Sequence, residues 1–304
     1  MTSPLDDIRT LIAGMPAIAA ADNADSVAAI AGWLRSAAER PASKVDKPVI
    51  SLFAGAHGVA RHGVSAMTPK QVTELAAAVS DETAPVARLC AGANIGLKML
   101  DLALDLPTGD ITSEPALDER GCAATFAFGM EAVAGGHDLV ALDGFGAGLQ
   151  TSAKALLASL RQRPAGDWTS GCQRADIRLR EETAIATAVA NHAAATDGLD
   201  LLARLGGREI VAMVGAIVAA RYERIPVLLT GLPGIAAAAA LQILRADALA
   251  HCRLCVWPGL AAARAEAEAM GLGGLGLRSL ADDPGVDAGV SVGIVRAVSW
   301  ASSS

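Results

Sequence analysis

The chain has 304 residues, of which 52% are hydrophobic, 19% charged and only 3% aromatic, and its formal net charge is −7. This length is enough for about two compact units or one large α/β domain with a substantial core. The 25 Lys and Arg residues form no basic block, so the composition excludes a nucleic-acid-binding role and favours small-molecule partners.

The N-terminal sequence MTSPLDDIRT lacks a basic segment followed by an apolar core. We therefore expect no secretory signal and a cytoplasmic protein. After it, Val27, Ile30, Trp33 and Ala37 recur at helical spacing and predict a helix that closes before Pro41. A polar linker at residues 44–47 follows.

Short apolar runs then alternate with amphipathic helices. Strands are predicted at residues 49–54, 86–92, 139–143, 225–230 and 254–257. Helix starts are predicted at Thr68 with Pro69, at Ser113 with Pro115, and at the glycine-rich entry before Thr151. Apolar strands separated by helices predict an α/β fold, with a Rossmann-like parallel sheet flanked by helices. Ligands of such a sheet bind beyond the carboxyl ends of the strands.

Two features are predicted to be structural. The uncharged stretch 227–244 is as long as a membrane span, but glycine and proline at 231, 233 and 234 interrupt it, which favours a strand, a turn and a helix. Cys252 and Cys255 have Cys-x-x-Cys spacing, yet neighbouring His251 has no matching ligand pair. We predict buried thiols and no metal.

Residues 52–65, LFAGAHGVARHGVS, lead from a strand end through a glycine-rich loop into a capped helix. This segment resembles the nicotinate-nucleotide:dimethylbenzimidazole phosphoribosyltransferases of cobamide lower-ligand synthesis, whose motif reads LFA-x-DHGVA-x-x-GVSA-x-P-x-x-VT. Ala56 stands in place of the family's aspartate. The resemblance continues through LGGREIVAMVGA at residues 205–216 and into the C-terminal motifs at 257–259 and 273–280.

The resemblance implies a large Rossmann-like domain and a small helical domain assembled from both chain ends. The corresponding boundaries here are residues 1–42 and 286–304 for the small domain and 43–285 for the large one. It also implies two small-molecule substrates, nicotinate mononucleotide or a related ribose phosphate and a benzimidazole-like base. A homodimer is expected partly from the resemblance and partly because an alanine-rich chain with few aromatics suits close helix contacts. We expect no cofactor.

The segment DGFGAGLQTSAK at residues 143–154 aligns with the family's EMGIGNTT loop, which cradles the nucleotide phosphate. Backbone N–H groups at a helix start bind anions with few side chains. The resemblance thus assigns phosphate or nucleotide binding to Gly144, Gly146, Gly148, Thr151 and Ser152. The alternative for this loop is a structural turn.

A base pocket is predicted around His57, Ser65 and Met67, because the matching family segment lies near the benzimidazole. His57 could instead be a loop histidine satisfied by backbone carbonyls, and His62 is expected to face solvent. The charged runs at 174–182 and 221–224 are predicted to be exposed helix faces or ends.

Several family motifs are altered. The family's GRGTG loop becomes WTSGC at residues 168–172, an aspartate after a strand becomes Thr230, a histidine becomes Leu260, and RLGEGTGA becomes RSLADDPGVDAGV. Val286 then stands at the glutamate that takes the proton from the attacking benzimidazole. Asp287 and Asp283, or Asp282, are candidate replacements, and the alternative for each is a solvated turn carboxylate. Function is therefore expected to be either weakened transfer or ligand binding without catalysis, including a role as a regulatory subunit beside an active paralogue.

Overall fold

A computed structural model of the chain describes residues 3–39, 44–170, 174–195, 197–280 and 282–302. Its centre is a five-stranded sheet in the order β2-β1-β3-β4-β5, and all neighbouring strands are parallel. The strands are β1 (Pro48–Ala56), β2 (Gly96–Asp101), β3 (Leu139–Ala147), β4 (Val227–Leu229) and β5 (Cys252–Leu254). The predicted α/β class is confirmed.

Helices cover both faces of this sheet, because its strands are apolar on both sides. In β1, Val49 and Phe53 point into one hydrophobic cluster, whereas Ile50 and Leu52 point into a second cluster on the opposite face. Every residue of β1 is buried. A strand without a polar face is stable only between two layers, as in doubly wound α/β proteins.

Thirteen α-helices occur in the described part of the chain, together with two 3₁₀ turns (Gly58–His62, Glu131–Val133) and a π-helical turn (Leu202–Gly206). The α-helices are α1 (Pro4–Ala13), α2 (Val27–Ala38), α3 (Pro69–Ser80), α4 (Pro85–Ala93), α5 (Glu119–Met130), α6 (Leu149–Arg161), α7 (Ala165–Thr169), α8 (Ala175–Asn191), α9 (Gly198–Leu201), α10 (Gly207–Tyr222), α11 (Gly231–Leu244), α12 (Ala261–Ala269) and α13 (Val286–Ala301).

Two of the predicted helix starts are confirmed. Thr68 caps α3 with a capping box and Pro69 in the first turn, and α6 begins directly after the glycine-rich segment. The predicted helix at Ser113 and Pro115 is wrong, since α5 begins later with Asp118 as its N-cap. Ser113 instead belongs to a turn in which its amide donates to the carbonyl of Asp110.

The predicted strand at residues 86–92 is also wrong, because this segment forms α4. Pro85 occupies the first turn, and Val86 and Cys90, one helical turn apart, are buried on the same face. The second strand lies just downstream, at Gly96–Asp101, where a partly buried edge position accepts a less apolar sequence. A short apolar run does not distinguish a strand from a buried helix by itself.

The chain ends pack on the sheet. Residues of α2, α13 and β1 belong to one hydrophobic cluster, and α2 and α13 contact each other. The predicted domain boundary between residues 42 and 43 lies outside the described residues. Residues 227–244 form β4 and α11 as predicted, and no helix in the described ranges is long and apolar enough to cross a membrane.

Candidate active site

A cavity of about 770 Å³ opens at the edge of the sheet where the strands end. Segments that follow four of the five strands line it: Ser65 after β1, Gly148 after β3, Thr230 after β4 and Trp257 after β5. Its volume lies within the usual range of small-molecule sites, and its position is the expected one for an open parallel sheet. The cavity is therefore the candidate site.

Only part of the predicted phosphate loop lines the cavity, and the rest packs against the core. Gly148, at φ +92°, is the N-cap of α6 and lines the cavity. A left-handed φ of this kind favours glycine. Gly144 and Gly146 lie within β3, where Met213 and Glu209 of α10 pack against them, and they are not among the described residues that line the cavity.

The first two turns of α6 contribute to a largely buried ionic cluster, which we call the α6 cluster: Thr151, Lys154 and Glu181. Glu181 comes from α8 and is only 2% exposed. The hydroxyl of Thr151 donates to its Oε1 at 3.0 Å, and the ammonium of Lys154 donates to its Oε2 at 2.6 Å. All three side chains line the cavity, so its charged wall is internally paired.

His57 and Ser152 lie deeper, behind the cavity wall. His57 Nε2 is 3.1 Å from Glu209 Oε1, and His57 Nδ1 is 3.0 Å from the Ser152 hydroxyl. All three residues are buried, and none is among the described residues lining the cavity. The cluster joins β1, α6 and α10 and holds the loop after β1 in place. Ligand contacts by His57 and Ser152 stay a prediction.

Asp287 is the acidic residue of the C-terminal loop that reaches the cavity. It lies in the first turn of α13, is 7% exposed and lines the wall. The Ser279 hydroxyl donates to its Oδ2 at 2.6 Å and the Leu280 amide to its Oδ1 at 2.9 Å. Asp282 and Asp283 are exposed, and Val286 packs against a hydrophobic cluster. The geometry thus separates Asp287 from the alternatives.

A second carboxylate, Asp143, lies near Asp287 at the start of the predicted phosphate loop. Its Oδ1 accepts from the Gly144 amide and its Oδ2 from the Gly285 amide, each at 2.8 Å. It therefore ties β3 to the start of α13. Burial, with a smaller contribution from the charge of Asp287, raises the pKa of Asp143 from its ordinary 3.8 to about 6, although the two amides act in the opposite direction.

Replacing Asp143 with Asn is expected to change how stability depends on pH. Because the pKa in the folded state is above the ordinary value, the folded protein retains a proton between about pH 4 and 6 that the unfolded chain has lost. The wild-type contribution is greatest at acid pH and declines as the pH rises through about 6. The stability difference between wild type and Asp143→Asn should therefore shift by roughly 2 kcal/mol between about pH 4.5 and 7.

Urea unfolding of both proteins at the two pH values measures this shift. Titrating groups that do not interact with Asp143 contribute equally to the two proteins, so the comparison isolates Asp143 together with its coupling to Asp287. Wild type should lose stability relative to the variant as the pH rises. A difference that is the same at both pH values would show that Asp143 is not held protonated.

The predicted base pocket is also only partly at the cavity. Ser65 lines it, whereas Met67 packs against the hydrophobic cluster of α2, α13 and β1. His62, expected to face solvent, is 42% exposed and bonds Asp110 at 2.7 Å. Among the predicted site residues, the structure thus brings Ser65, Gly148, Thr151 and Asp287 to one cavity.

Residues that replace family motifs also form the wall. Thr230 Oγ1 donates to the buried Cys255 thiol at 3.1 Å, and Leu260 and Trp168 add apolar surface. Gly171 and Cys172 of the WTSGC segment lie outside the described residues. Cys252 and Cys255 are free and buried, and burial raises the pKa of both thiols.

The expectation that residues 174–182 form an exposed face is wrong for Glu181. Arg221 of the second charged run lies at a helix end, which was one of the two expected alternatives, and is buried with its guanidinium donating to the carbonyl of Pro16. A signal for Glu181 exists in the sequence. Buried positions of α8 include Ile177, Glu181, Ala184, Ile185 and Ala188, a helical spacing that puts Glu181 on the apolar face.

Together, the parallel sheet and the cavity beyond its strand ends define an α/β protein with a small-molecule site. The family model described as "Phosphoribosyltransferase" matches residues 25–299. The nicotinate-nucleotide–dimethylbenzimidazole phosphoribosyltransferase of Rhizobium etli is 43% identical over 269 residues, covering 82% of this chain and 79% of that protein. The protein of the same name from Agrobacterium fabrum is 39% identical over 317 residues, covering 97% and 91%.

Two solved structures from Thermus thermophilus share the fold. CobT is 23% identical, with a TM-score of 0.80 over 90% of this chain and 88% of that chain. A structure named as the nicotinate-nucleotide–dimethylbenzimidazole phosphoribosyltransferase is 20% identical, with a TM-score of 0.80 over 97% and 94%. This chain belongs to the nicotinate-nucleotide:dimethylbenzimidazole phosphoribosyltransferase family, and the resemblance seen in its motifs is confirmed.

Proposed function

We propose that this protein binds a nicotinate nucleotide and an aromatic base in the cavity and transfers phosphoribose between them slowly, with Asp287 as the proton acceptor. A ring nitrogen of the base forms a bond to the ribose anomeric carbon, and nicotinate leaves with the electron pair of the broken C–N bond. The N–H proton of the base ring passes to the Asp287 carboxylate, which leaves a neutral nucleotide product. The position of Asp287 in the cavity wall is the observation that carries this proposal.

The other residues of the cavity wall favour the binding of an aromatic base, but they lack groups that would make the transfer fast. Trp257, Val256, Ile177 and Leu260 supply apolar and aromatic surface, which binds flat rings well. Polar side chains of the family motifs are replaced at Thr230 and Leu260, and Val286 cannot accept a proton. A positioned general base contributes about a hundred- to ten-thousand-fold in rate. A cavity that still binds the substrates but has lost the family's base is therefore expected to catalyse the transfer slowly.

Nicotinate release by the purified protein tests the proposal. With nicotinate mononucleotide and dimethylbenzimidazole at millimolar concentration, we expect base-dependent nicotinate release below the ordinary enzyme range of about one to a thousand per second. Chromatography resolves nicotinate from the mononucleotide and detects the new nucleotide. Release no faster than that of heat-inactivated protein would reject transfer.

Binding without catalysis is the second candidate, and the structure offers one observation in its favour. A well-formed cavity is retained while the polar groups of the α6 cluster bond one another. A protein of this kind would bind a base or nucleotide, or act beside an active paralogue. Calorimetric binding of dimethylbenzimidazole combined with no nicotinate release would select this candidate.

We further propose a homodimer in the cytoplasm, with residues 1–42 and 286–304 forming a small domain against residues 43–285. Contact between α2 and α13, from opposite chain ends, supports the pairing of the two terminal segments, and twofold dimers are the commonest assembly. Light scattering at micromolar concentration should give twice the chain mass of 30.7 kDa. A measured mass equal to that of one chain would contradict the proposed homodimer.

A further inference from the structure

The α6 cluster occupies the part of the cavity where a phosphate would be expected. Thr151 is in the first turn of α6, whose N-cap Gly148 has no side-chain cap. A helix start of this kind attracts anions through its free amides and dipole. A negative charge already lies beside this turn, because the Glu181 carboxylate accepts from the Thr151 hydroxyl at 3.0 Å.

Glu181 also neutralises the nearest cation. Its Oε2 accepts from the Lys154 ammonium at 2.6 Å, and the exposed fractions of the two side chains are 3% for Glu181 and 13% for Lys154. A second cation at the cavity, Arg174, is 66% exposed and bonds Asp176 at 3.2 Å. An incoming phosphate would meet the fixed carboxylate of Glu181. The two nearby donors, Thr151 and Lys154, already donate their hydrogen bonds to that carboxylate.

We infer that Glu181 is a specificity-determining residue that disfavours phosphorylated ligands, so that the cavity accepts a nucleoside or free base at least as well as a nucleotide. The inference rests on the proposed function, because it concerns the ligand of the same cavity. Two negative groups that compete for the same donors in a poorly solvated site repel each other strongly. Transfer is therefore slowed for two reasons: Val286 replaces the family's general base, and Glu181 weakens binding of the phosphoribosyl donor, nicotinate mononucleotide.

Paired ligands that differ only in the phosphate test this inference. Titration calorimetry of the full-length protein with nicotinate mononucleotide and with nicotinate riboside gives the ratio of the two dissociation constants. For wild type we expect the mononucleotide to bind no tighter than the riboside. In Glu181→Gln, which keeps the side-chain size and removes the charge, the mononucleotide should bind about ten- to a hundredfold tighter, with riboside affinity unchanged.

Two further variants control the experiment. Glu182→Gln removes a carboxylate from the next position of α8, where Glu182 faces Gly166, and should leave both affinities unchanged. The double variant Glu181→Gln with Lys154→Met should lose the gain in mononucleotide affinity, because the freed ammonium is then absent. Thermal melting establishes that each variant is folded.

Three outcomes would overturn the inference. The first is that wild type binds the mononucleotide about tenfold or more tighter than the riboside, which corresponds to about 1.4 kcal/mol. The others are that Glu181→Gln changes the affinity for both ligands equally, or that this variant is folded and changes neither affinity. Any of these leaves the proposed function intact if nicotinate is released. Failure of every variant to bind either ligand would overturn both.

Discussion

Replacing Asp287 with Asn is expected to lower the rate of nicotinate release by about a hundred- to ten-thousand-fold, the usual contribution of a positioned general base. Asn keeps the shape and one acceptor oxygen but cannot take up the proton. Asp287 also accepts hydrogen bonds from Ser279 and Leu280, so the change weakens the anchoring of that loop as well. Rates measured at saturating and at limiting base concentration separate kcat from KM, and a lost proton acceptor should act mainly on kcat.

Asp283→Asn is the matched comparison, since it makes the same chemical change at a carboxylate just before α13. Asp283 is exposed, and its variant should keep the wild-type rate. The opposite result, a large loss with Asp283→Asn and none with Asp287→Asn, would transfer the role to Asp283. Equal and small effects of the two changes would mean that neither carboxylate accepts the proton.

Most of the fold could be predicted because continuous apolar strands and capped helices follow from local patterns. The sequence around Thr68 and Pro69 predicts a helix start that the structure contains. The strand predicted at residues 86–92 was wrong because both a buried helix and a buried strand can be short and apolar. Pro85, as a first-turn residue, was the signal that favoured a helix.

The candidate site was less predictable, because motif residues serve both the cavity and the core. His57 belongs to a segment that keeps nearly all of the family motif, yet its ring is buried against Glu209, which is 152 positions away in the sequence. Glu181 lies in a charged run and is nonetheless buried, because Lys154 of a different helix neutralises it. Pairings of this kind depend on how α6 and α8 pack, which no local pattern specifies.

Replacing Gly215 with Ala is expected to lower the free energy of unfolding by about 3 kcal/mol, the upper end of the usual cost of overpacking. Gly215 lies in the middle of α10, where a Cβ would be 2.1 Å from the carbonyl oxygen of Phe126 in α5. The two helices meet a second time at Gly129, where a Cβ would be 2.0 Å from the Ala212 carbonyl oxygen. Backbone atoms cannot rotate away as side chains do, so α5 and α10 must separate and lose packing along their contact.

Gly293→Ala is the control for this stability prediction, because it makes the same change within α13 at a site where the new Cβ would have no atom from outside its own helical turn within 4 Å. Alanine is a better helix former than glycine, so this variant should gain about 0.5 to 1 kcal/mol. Urea unfolding of both variants and wild type measures the two effects, which should have opposite signs. If Gly215→Ala is as stable as wild type, the close approach of α5 and α10 is not required by the fold. If it is destabilised but Gly293→Ala is not, the loss comes from the contact between the helices and not from glycine replacement in general.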